Sequence, residues 1–516
     1  MASTITSDHV HENKMEMSPN SELAEHALDK VDTVHNDEAV KVIVQYHGEE
    51  TWTVKEEKQL RRKINWRLMP ILCITYGLQY YDKSMLGQAA IFGLVTDLDL
   101  IGKRYSWSSS IFYLGFIAGA WPTMIVAQRY PVERVASGLI VVWGICLTLT
   151  VCCTNYQGLY AQRFFLGVLE SGISPMFMLI VSTKLREQGA WYKKDEAALR
   201  MGIWYSMTGF SGTVSPLINY ALGHIHGPLS SWKYMYIFAG CLTILWGVAL
   251  YFILPPDPIR AKGFTDRERY VAVARLRTNN SGVRNTHFKM EQVREALLDP
   301  KFWLMFFYAL LSMIANGPIS TFLPIIIDSL GFSTLNSLLL FIPVGVYAGT
   351  MMVLMGWLAR KIPGWRIWLA VICQTITAFA SLLLWNLPMH PVGGMLFACY
   401  ILPSIGAAYA VIMGLQVANT AGYTKRSVAS AGLYIGYCVG NFIGPLLFKA
   451  SDAPRYPTAW AVVVATTIGA ALLLLIYRFL CTRENNKRNA MGAEAFEHAY
   501  EDDLTDITNK QFRYVY

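Results

Sequence analysis

The chain has 516 residues, of which 53% are hydrophobic and only 16% charged, and its formal net charge at pH 7 is +8. A soluble domain carries roughly 25% charged residues, and here charge concentrates before residue 67, in 255–301 and after 478. This pattern excludes an ordinary soluble protein, and because the basic residues are spread over short loops, it does not indicate a nucleic-acid partner.

Residues 1–60 are polar and of mixed charge, which predicts a disordered tail and not a cleavable signal peptide. About twelve apolar stretches follow, each close to the roughly 20 residues that a helix needs to cross a bilayer. They lie at 66–92, 107–127, 135–154, 158–182, 200–222, 233–254, 302–327, 336–358, 366–387, 393–416, 427–449 and 458–480. Between the sixth and seventh stretches, residues 265–298 are typical of amphipathic helices on a membrane surface.

The sequence therefore predicts an all-α integral membrane protein with about twelve transmembrane helices in two six-helix halves. The first half covers 61–254, a linker 255–301, the second half 302–480, and a tail 481–516. Two similar halves are typical of secondary transporters. The loops after even-numbered spans carry most of the Lys and Arg, as at Arg129 and Lys425. The positive-inside rule then predicts that both termini, the linker and the tails are cytoplasmic.

Four ionisable residues fall inside the predicted spans, where a charge is costly and usually faces a cavity or a partner. Asp82 and Lys83 are adjacent in the first span, and Arg163 and Glu170 lie seven residues apart in the fourth. Seven residues is nearly two helical turns, so the last two share a helix face. A cation there can hold a substrate carboxylate, and a carboxyl that binds a proton can link a proton gradient to substrate movement. The alternative is that these residues form structural ion pairs, and both roles can coexist.

Uncharged polar residues add weaker candidates. Asn316 precedes a Gly-Pro pair that interrupts the seventh span; broken helices line the sites of transporters, although such a kink also serves packing. Asn419 and Asn441 can hydrogen-bond a substrate or join helices. In the eleventh span, small residues recur every four positions, which predicts close packing against another helix, at Gly436, Gly440 and Gly444.

Three motifs resemble the anion:cation symporter branch of the major facilitator superfamily, and within it the fungal allantoate permease family. The resemblance covers about residues 60–480. The first two motifs are Asp82-Lys83-Ser84 with Gly87-Gln88-Ala89, and Gln162-Arg163-Phe164-Phe165-Leu166-Gly167 with Glu170 and Pro175. The third is Ala418-Asn419-Thr420-Ala421-Gly422-Tyr423-Thr424-Lys425-Arg426, continued by Gly440-Asn441-Phe442-Ile443-Gly444-Pro445.

The resemblance implies import of a small carboxylate, since characterised relatives carry allantoate, ureidosuccinate, vitamins or small peptides, commonly with protons. It also implies that Asp82 and Glu170 serve proton coupling, while Lys83 and Arg163 engage the anion or organise the site. The chain departs from the family in two places. Lys83 stands where many relatives have Arg, and the loop at 127–134 lacks the Asp of the superfamily's gating motif.

We therefore expect a secondary active transporter that imports a small organic anion, such as a vitamin or a nitrogen source, by proton symport with alternating access. Asp82 and Glu170 are the expected proton-coupling residues, and the expected substrate-binding residues are Lys83, Arg163, Asn316, Asn419 and Asn441. We expect a monomer in the plasma membrane, without a metal or cofactor. The alternatives are an anion exchanger and a non-transporting nutrient sensor. An enzyme is not expected, because the sequence shows no metal-ligand grouping and no nucleophile–base pair, and no nucleotide-binding motif indicates ATP drive.

Overall fold

A computed structural model describes residues 46, 51–182, 191–192, 194–225, 227–255, 261, 263–278, 289–490 and 504–516. Most of the predicted N-terminal tail and part of the linker lie outside these residues. Within them the regular structure is helical. The principal helices are α1 Val54–Ala89, α2 Arg104–Arg129, α3 Val132–Thr148, α4 Tyr156–Glu170, α5 Ile173–Ser182, α6 Lys194–Gly223, α7 Ser231–Ile253, α8 Asp266–Thr278, α9 Met290–Leu298, α10 Pro300–Thr321, α11 Leu323–Asp328, α12 Thr334–Lys361, α13 Arg366–Asn386, α14 Val392–Ile401, α15 Ser404–Ala418, α16 Tyr423–Leu446 and α17 Pro457–Ala490.

Every predicted span coincides with a helix or with a pair of consecutive helices. In the described part of the chain, eight of these are long and apolar enough to cross a membrane by length and composition. The remaining four spans are α1, the pair α4 and α5, α6 and α16. The fourth span is divided at Ser171-Gly172, and α1 contains the charged residues of the first motif. The two helices of the fourth span have 15 and 10 residues, so neither is long enough by itself.

The halves meet most extensively at two pairs of helices, α6 with α12 and α2 with α16. The first contact depends on glycine, because a Cβ built on Gly209 would lie 2.1 Å from the backbone nitrogen of Gly349. Within the second half, a Cβ on Gly440 would lie 2.3 Å from the carbonyl oxygen of Leu310. The predicted close packing of the eleventh span is therefore confirmed, and its partner is α10.

The two ends of the bundle differ. One end, called the linker end below, carries α8 and α9. There Lys63 of α1 forms an ion pair of 2.7 Å with Glu268, and Gln292 of α9 accepts hydrogen bonds from the backbone at the start of α16. At the opposite, far end, the halves are bonded directly. These hydrogen bonds join Tyr105 to the Thr321 carbonyl (2.8 Å), Ser106 to the Phe448 carbonyl (2.9 Å) and Ser110 to the Phe442 carbonyl (2.8 Å).

Two parts of the predicted tail 481–516 are described, and both belong to ordered structure at the linker end. Helix α17 continues to Ala490, and residues 504–516 pack on the linker end of the second half. Asp506, with a side chain 2% exposed, lies 2.8 Å from Lys425 and 3.3 Å from Lys301. Asn485 holds the backbone of Tyr514 with two hydrogen bonds of 2.8 and 2.9 Å. Composition alone does not reveal this segment, because its partners are distant in sequence.

Candidate functional site

A cavity of about 180 Å³ lies between the two halves, at the middle of the bundle. Helices of both halves line it, including α1, α4 and α6 from the first and α10, α15 and α16 from the second. Its wall is largely aromatic, and among the described residues that line it, Lys83 and Glu170 are the charged ones. The four spans that are not among those eight all contribute to this wall.

Lys83 projects from α1 to the second half. Its Nζ donates a hydrogen bond of 3.1 Å to the Tyr437 hydroxyl of α16. The same Nζ lies 4.8 Å from the ring centre of Tyr113 and 5.6 Å from that of Tyr437. The ammonium group is thus held by aromatic faces and one hydroxyl, and it has no carboxylate partner among the described residues. Cation–π contacts of this kind stabilise an ammonium group by about 0.5–2 kcal/mol and leave its other N–H donors available.

Glu170 is the last residue of α4 and lines the same cavity. The residue is 1% exposed, and its Oε1 has no hydrogen-bond partner in the described part of the chain. Gln79 of α1 fixes the local backbone by donating to the Glu170 carbonyl at 3.3 Å. The helix ends here because the chain turns at Ser171-Gly172 before α5 begins. A buried carboxyl group with one unbonded oxygen, facing a cavity, is in position to take up and release a proton.

Asp82 and Arg163 lie behind the cavity, inside the first half. Both carboxyl oxygens of Asp82 are buried without a hydrogen-bond partner among the described residues. Arg163 is 2% exposed and donates to the Tyr236 hydroxyl of α7 at 2.9 Å. Arg163 acts on Asp82 through its charge, but the two do not form a direct ion pair. The sequence predicts four charged residues inside the spans. The structure brings two of them, Lys83 and Glu170, to the cavity.

The alternative that these residues are structural ion pairs requires contacts that are not observed. In the described part of the chain, none of Asp82, Lys83, Arg163 and Glu170 lies within ion-pair distance of an opposite charge. Each charge is balanced only at a longer distance, which is a costly arrangement in an apolar medium. Such a cost is expected where the charges are needed to bind something that is not part of the protein.

The three predicted asparagines have different positions. Asn316 of α10 lines the cavity and donates to the side-chain oxygen of Asn441 at 2.8 Å. Asn441 stands behind it and donates to the Tyr437 carbonyl at 2.8 Å. Asn419 does not line the cavity: it lies at the linker end, bonded to the Tyr477 hydroxyl and to the backbone of Val515. Its position explains this difference, since Asn419 follows the end of the tenth span at the linker end.

Sequence reasoning missed the aromatic wall. Tyr76 and Tyr80 precede Lys83 by seven and three residues and line the cavity with it. These spacings place all three on one helix face, so the pattern was readable once Lys83 had been chosen. Tyr434 and Tyr437 are three residues apart in α16 and also line the cavity. No signal within α16 itself distinguished these two tyrosines from others in the spans.

Comparisons with known proteins agree with the fold and the motifs. Residues 72–445 match the family model of the Major Facilitator Superfamily. The chain is 31% identical to the allantoate permease of Saccharomyces cerevisiae, covering 97% of this chain and 92% of that one. It is 30% identical to the thiamine pathway transporter THI73 of the same yeast, with 96% and 92% covered. It is 31% identical to the MFS-type transporter cnsL of Penicillium expansum, with 93% of each covered.

Solved structures show the same architecture. The proton:xylose symporter XylE superposes with a TM-score of 0.59 at 13% identity, covering 81% of this chain and 96% of that one. A bacterial homolog of the human lysosomal transporter Spinster gives a TM-score of 0.57 at 15% identity, with the same coverage. At such low identity these likenesses establish the fold alone. The predicted all-α, multi-spanning fold is confirmed, and the full-length relatives are transporters, not enzymes. The chain belongs to the Major Facilitator Superfamily, within the group of fungal membrane transporters that includes allantoate permease.

Proposed function

We propose that this transporter imports a small organic carboxylate together with a proton, by exposing the central cavity alternately at the two ends of the bundle. The observation that carries the proposal is the pairing of Lys83 and Glu170 in one cavity, each without an ion-pair partner in the described part of the chain. The name of the yeast relative, allantoate permease, supports the substrate class, since allantoate is a carboxylate.

Lys83 supplies the anion site. An ammonium group has three donors, and here a single hydrogen bond, to the Tyr437 hydroxyl, is formed. A substrate carboxylate binds the remaining donors or displaces Tyr437. Asn316, which lines the same cavity, supplies an amide for a polar group of the substrate, and Asn441 orients that amide from behind. Asn419 has no part in this site, because its amide is engaged by Tyr477 and Val515.

Glu170 supplies the coupling. While Glu170 is ionised, it balances the charge of Lys83, and an added anion brings an uncompensated charge into the membrane at a cost of several kcal/mol. Once Glu170 is protonated, the charge of Lys83 is available for the anion. The cavity is therefore electrically balanced when it holds both proton and anion, or neither. This balance links the two movements without any direct contact between the proton and the substrate.

Asp82 and Arg163 act one layer behind the cavity in this proposal. Asp82 is a second buried carboxyl group that can hold a proton, and Arg163 stabilises its ionised form from within the first half. Arg163 is a positioning residue here and does not touch the anion, because its guanidinium group is directed to Tyr236 of α7. We propose that Asp82 and Glu170 share the one proton that is carried in each cycle, so that the two buried carboxyl groups together couple a single proton to the anion.

We assign the linker end to the cytoplasm, because the basic loops lie there, and the protein to the plasma membrane. The hydrogen bonds of Tyr105, Ser106 and Ser110 close the far end. The described conformation is then closed to the outside. Opening the cavity outward requires these bonds to break and the linker ends of the two halves to approach each other.

Uptake of labelled carboxylates by yeast cells that lack their own carboxylate permeases tests the proposal. Uptake should rise as the external pH falls, collapse with a protonophore, and be lost in Lys83→Gln. The matched control is Lys103→Gln, an exposed lysine in a far-end loop. Uptake that ignores the proton gradient but responds to unlabelled anion on the other side would instead show an exchanger. A surface-expressed protein that moves no carboxylate would refute the proposal.

A further inference from the structure

The central cavity has aromatic walls on both sides. The first half contributes Tyr76, Trp204 and Tyr205, and the second half contributes Tyr409, Tyr434 and Tyr437. The rings of Tyr76 and Trp204 meet edge to face, with centres 4.5 Å apart. The rings of Tyr434 and Tyr437 are nearly parallel, at 18° and 6.4 Å. These fixed, preformed ring faces offer stacking contacts to a flat ligand on two sides.

One polar atom of this wall lacks a partner. The Tyr434 hydroxyl is buried and has no hydrogen bond among the described residues. A buried hydroxyl without a partner is destabilising, so a ligand atom that bonds it gains affinity. The Oε1 atom of Glu170, on the other side of the cavity, is also without a partner. The cavity therefore presents polar groups at its edge and ring faces around its middle.

The charge of the cavity limits the charge of its ligand. Lys83 is the one cation among the described lining residues, and it compensates a single negative charge once Glu170 is neutral. A second carboxylate on the ligand would remain uncompensated within the membrane, at a cost of several kcal/mol. The cavity is thus matched to a monoanion.

From the paired aromatic walls, the free hydroxyl and the single cation, we infer that the substrate is a monocarboxylate carried on a flat, conjugated ring. The carboxylate binds Lys83, the ring lies between the two aromatic walls, and Tyr434 bonds a polar atom on the ring. This inference rests on the proposed function and narrows its substrate class. A saturated ring of the same size is puckered, so it presents fewer atoms in one plane to the ring faces than a flat ring does.

Binding to the purified full-length protein in lipid nanodiscs tests the inference with three probes. Benzoate and cyclohexanecarboxylate have the same charge and the same ring size, and they differ in flatness. Phthalate adds a second carboxylate to benzoate. Since aromatic pairs add affinity beyond the area they bury, we expect benzoate to bind about tenfold more tightly than cyclohexanecarboxylate. Phthalate should bind at least tenfold more weakly than benzoate.

Variants separate the wall from the anion site. Trp204→Leu should reduce the preference for benzoate over cyclohexanecarboxylate to nearly onefold while binding of both is retained. Lys83→Gln should abolish binding of both. Tyr251→Leu changes an exposed aromatic residue of α7 and should leave the preference unchanged, which makes it the matched control for Trp204→Leu.

The outcomes for the two proposals differ. If cyclohexanecarboxylate or an open-chain monocarboxylate binds as tightly as benzoate, or if phthalate binds best, the ring inference is overturned while carboxylate transport stands. If no carboxylate binds and none is taken up by cells, the proposed function itself fails. The tenfold preference, lost in Trp204→Leu and kept in Tyr251→Leu, supports the inference.

Discussion

Replacing Glu170 with glutamine should uncouple transport from the proton gradient without abolishing anion binding. The glutamine side chain resembles a protonated carboxyl group in size and charge, so Lys83 stays available to the anion in Glu170→Gln. One coupling carboxyl group at the cavity predicts one proton per anion. Because each pH unit corresponds to about 1.4 kcal/mol per proton, a gradient of about one unit drives about tenfold accumulation in the wild type. In the variant, the anion concentration inside should reach only about the concentration outside, as in simple equilibration.

Proteoliposomes measure both quantities in one preparation. Net accumulation is followed after an imposed pH gradient, and binding and movement are followed by exchange of labelled for unlabelled anion at equal pH. The variant should lose net accumulation and keep exchange. Glu291→Gln, on the exposed surface of α9, should behave as wild type. If Glu170→Gln still accumulates anion about tenfold, Glu170 is not the coupling group; if exchange is lost as well, Glu170 is needed for binding and the charge-balance argument fails.

Three further outcomes follow from the same structure. Because the cavity is balanced in both its loaded and its empty state, uptake should respond to a pH gradient but not to a membrane potential clamped with valinomycin and potassium. Gly440→Ala places a methyl group against the Leu310 carbonyl and should lower the free energy of unfolding by about 1–3 kcal/mol, measured as a drop in melting temperature. Gly414 has open space around it, so Gly414→Ala should leave the melting temperature unchanged. Burial acts to raise the pKa of Asp506, but its lysine partners lower the pKa overall. The energy that docks the C-terminal segment is therefore present above the ordinary carboxylate pKa and is lost as the pH falls through the lowered pKa. Protease cleavage of the segment should increase in acid, and it should become independent of pH in Asp506→Asn.

The spans were predictable because length and apolar composition are local properties of the chain. The same local view fails for the candidate site. Asp82 and Lys83 are neighbours in sequence, but successive residues of an α-helix point about 100° apart, so Lys83 faces the cavity while Asp82 faces the interior of the first half. Which of the two faces inward depends on how α1 is rotated against its neighbours. That rotation is set by packing between helices far apart in sequence.

Asn419 illustrates the second limit of the sequence. It stands in a motif that resembles the fungal family and is polar within an apolar region, which made it a reasonable candidate. Its partners, Tyr477 and Val515, lie 58 and 96 residues away along the chain. The C-terminal segment that holds it has no apolar periodicity of its own. Such a contact is visible only in three dimensions, so the motif marked an important position but not its role.

The hydrogen bond between Lys83 and Tyr437 leads to a last prediction, which concerns the empty transporter. This bond joins the two halves at the level of the cavity, and it occupies a donor that the anion needs. Tyr437→Phe keeps the ring near Lys83 and removes the competing hydroxyl. A hydrogen bond to a charged group contributes about 1.5–3 kcal/mol. Because the other N–H donors of Lys83 replace part of this energy, we expect benzoate to bind about tenfold more tightly to the variant.

The same variant should slow net transport, because a more tightly held anion leaves the cavity more slowly. Tyr251→Phe removes the hydroxyl of an exposed tyrosine of α7, so it should leave benzoate affinity unchanged and serves as the control. Binding to the purified protein and initial uptake rates at saturating benzoate measure the two effects separately. Weaker binding in Tyr437→Phe would mean that the hydroxyl contacts the anion directly; Tyr437 would then be part of the anion site and not the residue that holds Lys83 in the empty state.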